Sequence, residues 1–203
     1  SAPPLTDQQI AERAAEIMVD DVPLYYWFTR LCSGKEPNLL PTPMASASLG
    51  GLVTQTGLQG LFKLADDEAI IITYGTGNAK YSGPCMQDWW FRTVEYWERQ
   101  TSLTLGHSLP NADGTYTVVV SHVDPGVHNW VDTGGLHELL VVQRWQGLPK
   151  TPSGVGPTMQ TRHVKVSALP GLLPAEMVRV TPEQRKQQLE RRRAAYARRR
   201  VEH

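Results

Sequence analysis

Short apolar runs separated by turn-forming residues restrict the fold of this chain more than any other feature. Three of these runs are Ile70–Ile72, Val118–Val120 and Leu139–Val142. Asp66-Asp67 precedes the first run and Asn111-Ala112-Asp113-Gly114 precedes the second, and both segments favour turns. Such runs are typical of β-strands, and the lack of helical patterns between them argues against a parallel α/β sheet. The pattern therefore predicts a mainly β protein, an antiparallel β-sandwich of jelly-roll-like type.

The predicted helices lie at the two ends of the chain. Thr6 fits the N-cap of a first helix, and apolar residues from Ile10 to Met18 follow at three- and four-residue spacings. The segment Asp20-Asp21-Val22-Pro23 predicts an interruption, because the residue before a proline avoids helical geometry, and a second, aromatic helix follows it. Near the other end, Thr181 fits the N-cap and Pro182 the first turn of a strongly basic helix.

The length of 203 residues suits one sizeable core. We predict an N-terminal helical segment over 1–34, a β-sandwich domain over 35–150, an irregular linker over 151–180 and a basic C-terminal helix over 181–203. The last predicted strand runs from Leu139 to Trp145.

The charge balance argues against a protein whose overall field attracts polyanions. Basic and acidic residues number 20 each, so the formal net charge is zero. The C-terminal arginines suit phosphate groups, but the remainder of the chain is correspondingly acidic. We therefore expect the basic helix to pack against its own domain or a second copy, and we do not expect nucleic acid as a partner. No apolar run approaches the roughly 18 residues that a membrane span requires.

The two cysteines, Cys32 and Cys85, match no metal-binding or redox spacing. We interpret them as free thiols, which favours the cytoplasm as the compartment, and a disulfide between them is the alternative.

A polar, turn-rich loop from Asp124 to Gly135 lies between two of the predicted strands and is the candidate site. Trp130 is the aromatic residue in this loop, and it fits either a ligand contact or an anchor that pins the loop to the core. The sequence predicts a small organic or carbohydrate ligand near the loop over 122–137. Its predicted ligand-binding residues are Trp130, Asn129 and Arg144.

The same loop offers groups for acid–base chemistry. His128 with Asp132 or Asp124 is the predicted catalytic set of a hydrolase or lyase, because a carboxylate can orient an imidazole that titrates near neutrality. Four histidines fall close together in the sequence, at His107, His122, His128 and His137. Their spacing fits no established metal motif, so we predict neither a metal site nor a cofactor.

A resemblance to a known family rests on several segments of the strand region. Ala65 to Ile72, followed by Tyr81, Gln87 and Trp89, resembles the middle of bacterial proteins of the domain of unknown function 1214 (DUF1214) family. The likeness continues through Tyr96, Thr101-Ser102-Leu103, Asp113-Gly114, Asp124-Pro125-Gly126, 129–135 and Arg144-Trp145.

The resemblance covers about 40–147 and implies a jelly-roll-type β-sandwich, with no reaction assigned. It also implies that Asp124, Asn129, Trp130, Asp132 and Arg144 carry whatever role is shared, since the position of His128 is commonly proline in that family.

The aromatic cluster from Tyr25 to Phe28 predicts a third kind of function, docking of a partner domain or a second copy. Three functions therefore stay open from the sequence: a small-ligand-binding domain, an enzyme with a His–carboxylate pair, and a structural or assembly domain.

Overall fold

A computed structural model of the chain describes residues 4–32, 36–150 and 156–198. Its two long helices are α1 (Asp7–Cys32) and α2 (Pro182–Ala197). Its eight strands are β1 (Met44–Ala45), β2 (Gln55–Lys63), β3 (Glu68–Gly75), β4 (Tyr81–Gln87), β5 (Tyr116–Ser121), β6 (Trp130–Asp132), β7 (Glu138–Gln146) and β8 (Thr158–Lys165). Three short 3₁₀ helices span Ser46–Leu49, Leu105–His107 and Val166–Gly171.

The strands form two four-stranded sheets, in the orders β1-β2-β7-β4 and β6-β5-β3-β8. Alternate residues of both sheets, including Phe62, Ile72, Val118 and Trp145, build one buried core. The alternation follows from the period of two along a strand, which sends every second side chain inward. This architecture confirms the predicted β-sandwich with helices at both ends. The pairing is antiparallel except between β5 and β6, which run parallel.

A second apolar cluster covers the outer face of the β6-β5-β3-β8 sheet. Ile71, Val119 and Trp130 project from the strands and pack against Leu169 and Leu173. The 3₁₀ helix Val166–Gly171 and the residues after it therefore close this face. The candidate loop lies next to this cluster, because its Trp130 is a member of it.

The N-terminal helix differs from the prediction, since α1 runs through Pro23 without the expected interruption. Proline removes one N–H and disfavours helical geometry in the residue before it. The side chains around this point, such as Val19 and Leu24, are exposed, so water can solvate the carbonyl that loses its partner. The structure therefore replaces the two predicted helices with one.

The segment predicted as an irregular linker over 151–180 contains strand β8, which pairs with β3 along its whole length. Thr158, Gln160 and Arg162 alternate with partly buried residues, so this strand at the sheet edge has a weak apolar signature. The sandwich therefore extends beyond position 150, and the predicted boundary is corrected.

The C-terminal helix begins as predicted. The Thr181 side chain accepts a hydrogen bond from the Gln184 backbone, and the Gln184 side chain accepts one from Thr181 in return. Its basic residues lie against the body: Arg192 donates to the carbonyls of Tyr96 and Ser102, and Arg193 pairs with Glu98. Positions 199–203 of the predicted helix lie outside the described residues. Neither long helix is apolar enough over its described length to cross a bilayer.

Candidate functional site

The loop between β5 and β6 begins with an ion pair that belongs to the fold. Asp124 accepts hydrogen bonds from Arg185 Nε at 2.8 Å and Nη2 at 3.2 Å, and from the Gly126 backbone at 2.9 Å. Arg185 lies on α2 and is buried, and it also donates to the Val127 carbonyl and to Gln188. Asp124 thus joins the loop to the C-terminal helix.

Asn129 is buried, and both the oxygen and the nitrogen of its side-chain amide form hydrogen bonds within the protein. Its Oδ1 accepts from the Leu109 backbone at 2.9 Å, and its Nδ2 donates to the carbonyls of Leu109 at 2.7 Å and Thr117 at 2.9 Å. An amide with these three partners holds the segment before β5 against the loop. A ligand would have to displace these bonds to reach it.

Trp130 is an anchor of the loop. It is only 7% exposed, and its Nε1 donates to the carbonyl and the hydroxyl of Ser121 at 3.2 and 3.1 Å. The Arg185 guanidinium lies over the ring at 5.0 Å from its centroid. The sequence left two roles open for Trp130, a ligand contact or an anchor of the loop, and this geometry matches the anchor.

Asp132 forms its ion pair with Arg99 and not with Arg144, the predicted site residue with a positive charge. Both carboxylate oxygens accept from Arg99, from Nε and Nη2 at 2.8 Å each, and one also accepts from the Gly134 backbone. This bidentate bond raises the pKa of the Arg99 guanidinium.

His128 does not meet its predicted carboxylate partners. Its Nδ1 lies 3.1 Å from Asn129 Oδ1, and its backbone N–H donates to Val178. The oxygens of Asp124 and Asp132 are occupied by the two arginines, Arg185 and Arg99. The cavity beside His128 measures about 20 Å³, room for roughly one water molecule. The predicted catalytic set is therefore not assembled, and this loop has no room for an organic ligand among the described residues.

A larger cavity, of about 490 Å³, lies between α1 and the outer face of β2 and β7. Its volume falls within the range of about 300–1,000 Å³ that is usual for small-molecule sites. Its walls include Phe28 and Leu31 from α1, Pro41 and Met44 from the following segment, and Val142 from β7.

Two contacts hold α1 over this cavity. The buried Thr29 hydroxyl donates to the Trp89 carbonyl at 2.9 Å. The rings of Phe28 and Phe91 pack with their centroids 5.4 Å apart. The end of α1 is therefore attached to the sandwich, although most of the helix is exposed.

Arg144 is the one sequence-predicted site residue that lines this cavity. It is exposed, and its side chain makes no hydrogen bond or ion pair within the described ranges. Gln59 lines the same cavity, and its side-chain oxygen is buried without a hydrogen-bond partner. Cys85 is a free thiol opposite Val142, on the sheet face that carries the cavity. Burial raises the pKa of this thiol, which disfavours the nucleophilic thiolate.

The sequence did not identify Phe28, Leu31, Met44 and Gln59 as neighbours of Arg144. The cavity exists only because α1 packs beside β2 and β7, and contacts between segments so far apart in the chain leave no local pattern. One signal was present: Gly57 lies opposite Arg144 in the pairing of β2 with β7, and a missing side chain there leaves space above the sheet.

Comparisons with known proteins support the fold and no activity. No protein-family model matches the chain. No curated protein matches it either. A solved structure of an uncharacterised protein from Burkholderia cenocepacia is 27% identical, with a TM-score of 0.66 over 83% of this chain and 47% of the other. A Vibrio parahaemolyticus protein is 15% identical, with a TM-score of 0.44 over 81% of this chain and 47% of the other. The chain thus spans about half the length of both.

Proposed function

We propose that this protein is a binding domain for a small organic anion with an apolar body, held in the cavity between α1 and the outer face of β2 and β7. The observation that carries the proposal is Arg144, whose side chain has no hydrogen-bond or ion-pair partner among the described residues and lies in the wall of an otherwise largely apolar cavity of about 490 Å³. The ligand class follows the sequence-based prediction, whereas the location moves from the 122–137 loop to this cavity.

The apolar part of the ligand is inferred from the walls. Phe28, Leu31, Met44 and Val142 present hydrocarbon surface to the cavity. Burial of apolar ligand surface there contributes about 25 cal/mol per Å² before the costs of association. A carbohydrate fits this lining less well, because its hydroxyl groups would lose hydrogen bonds to water without gaining enough polar partners.

The anionic part of the ligand is inferred from Arg144. A guanidinium presents a planar fork that matches a carboxylate, sulfonate or phosphate. Gln59 supplies a second polar contact, because rotation about its terminal torsion would turn the unpartnered oxygen toward a donor on the ligand. We therefore favour an acid that carries a hydroxyl group near its charged end.

Binding of octanoate and 1-octanol tests the two halves of this proposal separately. We expect both to bind and octanoate to bind more tightly, since only the carboxylate pairs with Arg144. In Arg144→Gln the octanoate affinity should fall at least about tenfold while the octanol affinity stays unchanged, because a charged hydrogen bond contributes about 1.5–3 kcal/mol. Titration calorimetry measures both affinities.

Arg191→Gln is the matched control, since Arg191 is an exposed arginine on α2 outside the cavity. Leu31→Trp, which adds uncharged bulk to the cavity wall from α1, should weaken binding of both probes. Absence of saturable binding by either probe, or equal octanoate affinity in Arg144→Gln and the parent protein, would contradict the proposal.

Assembly through the N-terminal aromatic cluster is the second candidate function, and it stays a prediction. Tyr25, Tyr26 and Trp27 are about half exposed on α1, as an interface on a free chain would be. If this cluster joins chains, replacement of all three residues by serine should lower the molecular mass in solution from that of an assembly to that of a monomer. Light scattering coupled to gel filtration measures it, and an unchanged mass would remove this function.

Membership of the DUF1214 family is likewise a proposal. Its support is the set of segments between Ala65 and Trp145 that resemble that family.

A further inference from the structure

We propose that Asp66, His122 and His137 form a binding site for a divalent transition-metal ion of the zinc class. One ligand atom from each of the three lies within 4.8 Å of the others. They form the one such group of histidine, cysteine and acidic side chains found among the described residues. This site lies outside the organic-ligand cavity and uses none of its lining residues.

The fold brings the three residues together from separate loops. Asp66 lies in the turn between β2 and β3, His122 directly follows β5, and His137 directly precedes β7. The Leu64 backbone N–H donates to the His137 carbonyl at 2.9 Å, which fixes one loop against another. The three residues thus lie at the ends of neighbouring strands, on the same edge of the sandwich. Their backbone positions are set by these strands.

The distances suit a shared ion. His137 Nε2 lies 2.8 Å from Asp66 Oδ1, and the His122 and His137 rings pack with their centroids 4.4 Å apart. Bonds of about 2.0–2.2 Å to zinc place neighbouring ligand atoms roughly 3.3 Å apart in a tetrahedron. The Asp66 and His137 side chains are 86% and 60% exposed, so both can adjust by the small amount that this geometry requires.

A polar group that is fully buried orients His122. Thr133 is 0% exposed, and its hydroxyl lies 2.8 Å from His122 Nδ1. When the hydroxyl accepts from Nδ1–H, the Nε2 lone pair is left for the metal, which is how outer hydrogen bonds fix metal-binding histidines. The Leu64 carbonyl oxygen lies 3.2 Å from Nε2 and accepts from it only in the other tautomer, so ion binding would replace this contact.

The donor set indicates the class of ion. Two imidazoles and one carboxylate match zinc and its neighbours in the transition series. Calcium and magnesium prefer a site built from oxygen alone. Without an ion, the Asp66–His137 contact is an exposed pair of the kind that contributes little to stability.

Titration of the protein with zinc alone, without a histidine tag, tests the site. We expect one zinc ion per chain and a rise in the thermal unfolding temperature with zinc concentration, because the ion binds the folded state. In His137→Asn the affinity should fall at least 100-fold, since even loss of an outer hydrogen-bond partner costs about 10–100-fold. Thr133→Val should reduce the affinity about tenfold.

His163→Asn is the matched control, because His163 lies on β8 and pairs with Glu68 outside this group. Its zinc affinity should equal that of the parent protein. His137 is exposed, so its variant should remain folded, which separates loss of a ligand from loss of the fold. Absence of saturable zinc binding, or equal affinity in His137→Asn and the parent protein, would overturn the proposal.

Discussion

Arg185→Ala should lower the free energy of unfolding by about 3 kcal/mol, because removal of one partner of a buried ion pair leaves the other uncompensated. The Arg185 side chain is 7% exposed and joins Asp124, the Val127 carbonyl and the face of Trp130. Its loss removes the cation from Asp124, the donor from Val127 and the packing above Trp130. Asp124 is 31% exposed and retains partial hydration, which places the effect near the lower end of the range for buried pairs. Urea denaturation followed by tryptophan fluorescence measures it.

Two further substitutions separate charge from geometry at this position. Arg185→Lys keeps the charge but loses the planar guanidinium that reaches both Asp124 oxygens. Its free energy of unfolding should therefore lie between those of the parent protein and Arg185→Ala. Arg191→Ala, at an exposed position of the same helix, should change stability by less than about 0.5 kcal/mol. If Arg185→Ala is as mild as Arg191→Ala, the ion pair does not hold α2 on the sandwich.

Asn129→Asp should have an effect of similar size, about 3 kcal/mol or more. The substitution replaces the Nδ2 donor by an acceptor that faces the carbonyls of Leu109 and Thr117, in a site only 3% exposed. The cost combines two lost hydrogen bonds with a carboxylate that water cannot reach, and each unsatisfied buried group costs about 1–3 kcal/mol. The same denaturation experiment measures the change.

Asn129→Ala distinguishes the two parts of this cost. It removes the bonds without adding a charge, so it should destabilise the protein less than Asn129→Asp does. Gln160→Ala, at an exposed position of β8, should be nearly neutral. Equal stability of Asn129→Asp and the parent protein would show that the amide does not fix the loop.

The β-sandwich is predictable from the sequence because its inner strands carry strong local signals. Ile70–Ile72 and Val118–Val120 are runs of β-branched residues between turn residues, and they form neighbouring strands of one sheet. β8 gave no comparable signal, since it lies at the sheet edge and exposes most of its side chains. Gly60 favours a loop in the sequence, yet it lies within β2, where an added Cβ would meet the Leu40 side chain at 2.5 Å. The absence of a side chain at Gly60 serves close packing, which is a property of the assembled fold.

The candidate site was predictable only in part. Arg144 was identified from its sequence context, but its surroundings depend on the docking of α1. His122 and His137 were considered for metal binding, whereas Asp66, their partner in space, lies far away in the sequence. Polar residues of the 124–135 loop were assigned to a ligand because they lie in a loop. Their side chains instead bond to other parts of the fold: Asp124 to Arg185, Asp132 to Arg99, and the Asn129 amide to backbone groups of Leu109 and Thr117.

The pairing of β3 with β8 has a consequence for the synthesis of the protein. Ile70 lies opposite His163, so the β6-β5-β3-β8 sheet stays incomplete until almost the whole domain has left the ribosome. Until then, the outer face of Ile71 and Val119 also lacks its cover from Leu169 and Leu173. Because contacts between distant segments form slowly, we expect this apolar face to stay exposed to solvent, and open to aggregation, during this interval.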